Sequence, residues 1–346
     1  MSTPSRPSLV RHWLALAEEL VGRAAPRLDA LNLFPVPDAD TGTNMLATLT
    51  AARTAADACP AQDDAGAVLA HAGAAALDSA RGNSGMLLAV SLAGMAEPLR
   101  GRERVDAFAL AAAFGAADRA ARQALSDPRE GTILTVLSAA ARSLARSSTQ
   151  APDTPAVAGD ADPAVRLGPA VTVMLADCVQ AVEETESLLA PLTRAHVVDA
   201  GAVGLLWVFE ALRAVVTGTP VDEELATALP GYGEGAHAAE GEPAAAAEAP
   251  AEGAVEVMGT LALTPLAAAE LRRRLTDVGD AVILAPVGTA RDGQGRVPWR
   301  VHVHVPRAED AIGPLRAAGD VEGLAVTDLA EPSHGDDAAP DGCHGR

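Results

Sequence analysis

The sequence predicts an all-α domain over residues 1–220, an acidic linker over 221–254, a small α+β domain over 255–330 and a disordered tail over 331–346. Three observations carry this expectation. Apolar residues make up 49% of the 346-residue chain, but aromatics only 2%. The core must therefore be built from Ala, Leu and Val, which suits close-packed helices. From residue 8 to 217 apolar residues recur at helical spacing with no strand-like alternation. Beyond residue 254 the pattern changes to short strands interleaved with two helices.

The first helix runs from Ser8, a plausible N-cap, to Ala25, with Val10, Trp13, Leu14, Ala17, Leu20 and Val21 on one face. "FPVPD" breaks it, because two prolines two apart enforce extended backbone. A helix restarts near Thr43 and runs to about Asp57. Further helices are expected at 64–80, 83–99, 105–126, 131–147, 162–190 and 201–217. Residues 231–254 are Gly, Ala, Glu and Pro with no apolar period, the composition of a flexible acidic linker. Then follow a strand at 255–263, a helix at 265–279, strands at 281–287 and 299–305, a helix at 308–320 and a strand at 324–329. That β-α-β-β-α-β order predicts a split α+β sandwich.

A formal net charge of −20 excludes a broad nucleic-acid-binding face. The chain contains no Lys, so a Lys phosphate clamp and a Schiff base are both excluded. Cys59, Cys178 and Cys343 are scattered, as expected for reduced thiols of a cytoplasmic protein. Glu18 and Glu19 interrupt the N-terminal apolar run, which argues against a signal peptide. No uncharged apolar stretch is convincing as a transmembrane segment.

The chemistry gathers at helix starts. In "NLFPVPDADTGTNM", Asp38 and Asp40 stand two apart in an extended stretch, with Thr43 and Asn44 opening the next helix. Mg²⁺ takes one or two carboxylates and fills its shell with water or phosphate oxygens, and a helix N-terminus favours phosphate. The competing use of the same residues is a helix N-cap. In "SARGNSGMLL", Gly82, Asn83 and Ser84 could admit phosphate to backbone N–H groups, and Arg81 could pair with it. The competing use there is a tight, capped helix–helix turn. "EGTILTV", with Thr132, and "VVDAGAVGLL", with Asp199, open two more helices. If these mouths converge at one end of a bundle, they form a phosphate- and metal-lined pocket.

These four motifs, in this order, resemble the nucleotide-binding domain of bacterial fatty acid kinases, which is similar to the DhaL-type L subunit of dihydroxyacetone (glycerone) kinases. The resemblance covers roughly residues 8–218. It implies an all-α eight-helix barrel with ATP and two Mg²⁺ at one end. By motif position, Asp38 and Asp40 would hold the metal. Thr43 and Asn44 would lie beside metal and phosphate, Gly82, Asn83 and Ser84 would contact phosphates, and Thr132 and Asp199 would line the nucleotide pocket. The dihydroxyacetone kinase pattern has a third metal-binding Asp shortly before the pair; Asn32 is nearest to that place. The strand "VHVHV" and the helix–strand "LRRRLTDVGDAVIL" resemble the middle domain of the fatty acid kinase catalytic subunit. That domain often joins a Cys to two histidines in a Zn²⁺ site; Glu256 stands at the Cys position here, beside His302 and His304. Those histidines share a strand face, and two imidazoles with a carboxylate can bind Zn²⁺. The competing use is a solvated strand face. The resemblance further implies a homodimer and transfer of the γ-phosphoryl group to a fatty acid carboxylate presented by a separate fatty-acid-binding protein of the DegV type. The alternatives are a glycerone kinase-type ATP subunit and a nucleotide-binding regulator without transfer activity.

Overall fold

The computed structural model describes residues 6–60, 62–102, 104–149, 163–233 and 253–329. The expected tail lies outside these residues, as does most of the expected linker. The helical unit comprises α1 (Arg6–Leu31), α2 (Thr41–Ala58), α3 (Ala65–Ser79), α4 (Gly82–Gly94), α5 (Ala96–Leu99), α6 (Ala107–Ala124), α7 (Ile133–Thr149), α8 (Pro163–Leu188), α9 (Ala190–Ala195) and α10 (Ala200–Thr217). The eight long helices form a closed ring: each packs on the next in the series, and α10 returns to α1. Small residues let them approach closely; at Gly73, an added Cβ would lie 2.6 Å from the Ala93 backbone. Several of the few aromatics lie inside, where Phe114 and Phe209 pack with centroids 5.2 Å apart and Trp13 Nε1 donates to the Val208 carbonyl at 2.9 Å.

The main departures from the expected boundaries lie at α1, at two later helix ends and at the start of the linker. α1 runs through Pro26 to Leu31, because Leu28 and Leu31 are buried in the core; their packing outweighs the bond that proline removes. The segment expected at 83–99 divides into α4 and the short α5, and the one expected at 162–190 stops at Leu188 and is followed by the short α9. Residues 221–233, expected to begin the linker, instead pack on the bundle. Ala226, Leu229 and Tyr232 are buried, and the Tyr232 hydroxyl accepts from Trp207 Nε1 at 3.0 Å.

One helix among the described residues, α10, is long and apolar enough by composition to cross a membrane. Here it is mostly buried within the ring, with Asp199 capping its start and Glu210 inside it.

The second unit comprises β1 (Val255–Leu263), α11 (Pro265–Thr276), β2 (Asp280–Pro286), β3 (Val297–Val305), α12 (Ala308–Ala318) and β4 (Val321–Asp328). Its four strands form an antiparallel sheet in the order β2-β3-β1-β4. Strand alternation assigns the two faces different tasks. Val257, Leu261, Val282, Leu284, Val301 and Val303 pack with residues of α11 and α12 in one core. Met258, Ile283 and Ala285 join the core of the helical unit. Glu256, His302 and His304 share this second face by alternation, so both faces are covered along β1 and β3, whereas β4 is largely exposed. Inter-unit hydrogen bonds fix the docking: Ser126 N donates to the Val282 carbonyl at 3.0 Å, and Arg272 donates to the Gln123 carbonyl at 2.6 Å.

Candidate functional site

In a closed ring of helices joined by short connections, neighbours run antiparallel and every second helix begins at the same end. Here those helices are α2, α4, α7 and α10, the four with polar mouths. Their starts meet. Asp38, Asp40, Thr41 and Asn44 line one pocket with Gly82, Asn83 and Ser84. Asn83 and Ser84 also line an adjoining cleft of about 500 Å³, together with Thr132, Ile133, Leu134 and Asp199. Two glycines permit this approach. A Cβ on Gly82, whose φ is +58°, would sit 2.5 Å from Asn44 Nδ2, and one on Gly201 would sit 2.8 Å from Ser84 Oγ. The positive dipole ends of α2 and α4 therefore meet at the acid pocket, and those of α4, α7 and α10 at the adjoining cleft, an arrangement suited to an anion.

The acid pair is not used as a helix cap. Asp40 occupies the N-cap position of α2, but its side chain makes no capping bond. Asp29, at the end of α1, does that work. It accepts from the backbone N–H groups of Gly42 and Thr43 at 2.6 and 3.1 Å and from Thr43 Oγ1 at 2.8 Å. Asp38 accepts from Asn32 Nδ2 at 2.5 Å, so Asn32 orients a carboxylate. Burial, followed by the Asp40 charge, pushes Asp38 up to about 8. Burial also raises Asp40, with further contributions from Glu256 and Asp29. Among the described residues, no arginine lines this pocket. Adjacent half-buried carboxylates with no arginine beside them among the described residues fit a divalent cation, which would supply the missing positive charge.

Asp199 caps α10, accepting from Ala202 N at 2.8 Å. Burial lifts it to about 7, although N–H groups of Gly201 and Ile133 also donate to it. It therefore joins the α7 and α10 mouths. Thr132 lines the cleft, and its hydroxyl donates to the Arg129 carbonyl at 2.9 Å.

Two expected contacts are corrected. Thr43 is exposed and committed to Asp29; two residues earlier, Thr41 faces the acid pocket instead. Arg81 is exposed and lines neither pocket, since the chain turns inward only at Gly82.

The second unit enters the site. His302 and His304 are buried, not solvated, and His304 lines the acid pocket with Glu256. Glu256 Oε1 lies 2.8 Å from His302 Nδ1 and accepts from Gly82 N at 3.1 Å. Burial alone would raise the Glu256 carboxyl, but His302 outweighs it and holds the group at about 2. Burial, then His302, lowers His304 to about 3. Among the described residues, the trio that brings three ligand atoms within 4.8 Å of one another is Cys59, Asp63 and His71, away from this pocket. Glu256, His302 and His304 are arranged instead as a carboxylate–imidazole pair with a second ring 4.8 Å away. Thr276, Gly279, Asp280, Ala281 and Val282 wall the larger cleft from the second-unit side.

Asp29, Thr41 and the cleft wall at 276–282 were not anticipated from sequence. Asp29 lies nine residues before Asp38 across a chain reversal, and nothing in local spacing links them. With acid pair, Gly-rich turn and cleft joined at one end of the ring, sequence comparison identifies the architecture. The DAK2 domain family matches residues 35–214, more than half the chain.

This chain belongs to the DAK2 domain family.

DAK2 domains are dihydroxyacetone kinase L-subunit-like and kinase-related. This DAK2 protein is 33% identical over 211 residues to Protein YloV of Bacillus subtilis (strain 168), covering 61% of this chain and 35% of that protein. It is 32% identical over 198 residues to Uncharacterized protein SH1689 of Staphylococcus haemolyticus, covering 57% of this chain and 33% of that one. The matched part thus spans about a third of the length of these curated relatives.

Proposed function

We propose that this DAK2 protein is the nucleotide-binding subunit of a phosphotransferase of the fatty acid kinase type, using ATP and Mg²⁺. The observation that supports this best is the pair Asp38 and Asp40, uncapped and without a cationic partner, beside converging helix starts. Asp38 and Asp40 would hold Mg²⁺, which supplies charge neutralisation for the triphosphate. N–H groups around Gly82, Asn83 and Ser84 would orient phosphate oxygens, and the cleft between Leu87, Ile133 and Leu134 would receive the nucleoside. Its volume lies in the usual range for a small-ligand site. Phosphoryl transfer needs mainly positioning and electrostatics, so the absence of an obvious nucleophile among these residues is no obstacle.

The acceptor assignment rests on the motif resemblance: a fatty acid carboxylate, presented by a separate fatty-acid-binding protein, giving an acyl phosphate. Glycerone is the other acceptor compatible with DAK2 membership. The double variant Asp38→Ala with Asp40→Ala tests the core of the proposal. Calorimetric ADP binding in Mg²⁺ is expected to weaken by about 100-fold or more, while the helical circular-dichroism signal is retained. Equal binding by the folded double variant refutes the metal assignment. Trapping the product with hydroxylamine separates an acyl phosphate, which yields a hydroxamate, from glycerone phosphate, which does not.

A further inference from the structure

We propose that Glu256 is an internal substitute for phosphate, a carboxylate from the second unit that occupies the anion seat at the start of α4 and must leave it when nucleotide binds. The inference rests on the nucleotide reading above and adds regulation of that site.

Three observations lead to it. First, Gly82 opens α4 with left-handed backbone, and its N–H, one of the unsatisfied donors of that helix end, is aimed at Glu256 Oε1 at 3.1 Å. An anion already occupies this seat, and it comes from a strand 174 residues away in sequence. Second, Glu256 is buried in the same pocket as Asp38 and Asp40. A third carboxylate beside two unpaired ones disfavours any further anion. Third, Glu256 Oε1 has a second, simultaneous neighbour in His302, buried on the neighbouring strand with Nδ1 at 2.8 Å. A carboxylate that gives up the Gly82 amide can keep its imidazole, so release does not require the two units to separate.

The consequence is competition at a single amide. While Glu256 accepts from Gly82, the α4 seat is closed to a phosphate oxygen. When nucleotide takes the seat, the contact between β1 and α4 is lost. Occupancy of the nucleotide site is thereby reported to the sheet through one side chain, with two discrete arrangements of one hydrogen bond. By reciprocity, anything that holds Glu256 on Gly82 weakens nucleotide binding by the same factor.

Glu256→Gln removes the charge and keeps the shape. In the full chain at saturating Mg²⁺, calorimetry with ADP is expected to give about tenfold tighter binding to Glu256→Gln than to the wild type. Glu256→Ala is expected to shift affinity in the same direction. In ¹⁵N-resolved spectra the Gly82 amide of the metal-free protein should shift on Glu256→Gln, and ADP should move it in both proteins. Equal or weaker ADP binding by both folded variants overturns the proposal, because a carboxylate that contributes to metal binding lowers affinity when removed. A wild type that binds ADP with Mg²⁺ dependence while the variants gain nothing leaves the nucleotide reading standing and removes the latch. If neither wild type nor variants bind ADP, the nucleotide reading fails and the latch with it. Should Glu256→Gln not fold, the wild-type Gly82 amide response to ADP decides: no change on saturation overturns the proposal.

Discussion

A fully buried acid and a half-buried acid pair in this protein are treated in opposite ways. Glu210, fully buried in α10, is bonded through both oxygens to Arg213 at 2.6 Å each and also accepts from Asp222 N at 2.7 Å. Its charge is neutralised within one helix turn. Asp38 and Asp40 have each other, Asn32 and a neighbouring Glu256, and, among the described residues, no arginine in their pocket. The same chain supplies an internal cation for one buried carboxylate and leaves the pair beside the nucleotide cleft without one. A half-buried acid pair left without a cation resists ionisation. It persists where an outside cation completes the site, so the difference separates structural from functional acids.

The comparison can be broken most sharply at the structural pair. Arg213→Ala leaves Glu210 buried and unpaired, and is expected to destabilise the fold by about 3–5 kcal/mol, measured by urea denaturation. Any fraction that remains folded should bind nucleotide normally. A loss well below 1 kcal/mol would mean that the two acid sets do not differ in kind.

A smaller effect lies in the pH dependence. Asp38, raised to about 8 in the folded state, and Asp199, raised to about 7, bind protons more tightly when folded than unfolded. Their contribution to stability is fully present below the unfolded carboxylate range and is lost as pH rises through 7 and 8. In chelator, the melting temperature should therefore fall between pH 5 and 8, and Mg²⁺ should restore it at pH 8. Asp38→Asn should recover on the order of 2 kcal/mol at pH 8 in chelator and lose the response to Mg²⁺. A wild-type melting temperature that rises over that range without metal contradicts the assignment.

The smallest effects distinguish Asp29 from Arg81. Asp29→Ala removes the cap of α2 and should cost about 1 kcal/mol of stability, with a modest loss of ADP affinity because Asp40 loses its fixed frame. Arg81→Ala should leave ADP affinity within about twofold, since this arginine lies outside both pockets. A large loss on Arg81→Ala would restore it as a phosphate ligand.

Much of this was legible in sequence because it depends on near neighbours. Opening β1 at Val255 and closing it at Leu263 follows from alternation, and the helix starts follow from capping and small residues. The identity of the acid pair came from the same source: Asp38 and Asp40 are separated by one residue in an extended run. The Thr43 expectation failed by two positions, because the helix begins at Thr41 once Asp29 supplies the cap. The linker expectation failed at 221–233 because Tyr232 and Leu229 find apolar partners that no local period announces.

The sequence by itself determined the period of each segment, the two-unit organisation and the set of polar helix mouths, since neighbours one to four residues apart encode these. Only the tertiary structure decided which mouths share a pocket, which acid caps and which is left for a cation, and that a strand residue rests on a helix start 174 positions earlier. Those outcomes depend on ring closure and on which sheet face is covered. Packing fixes both between residues far apart in the chain, where local spacing carries no signal.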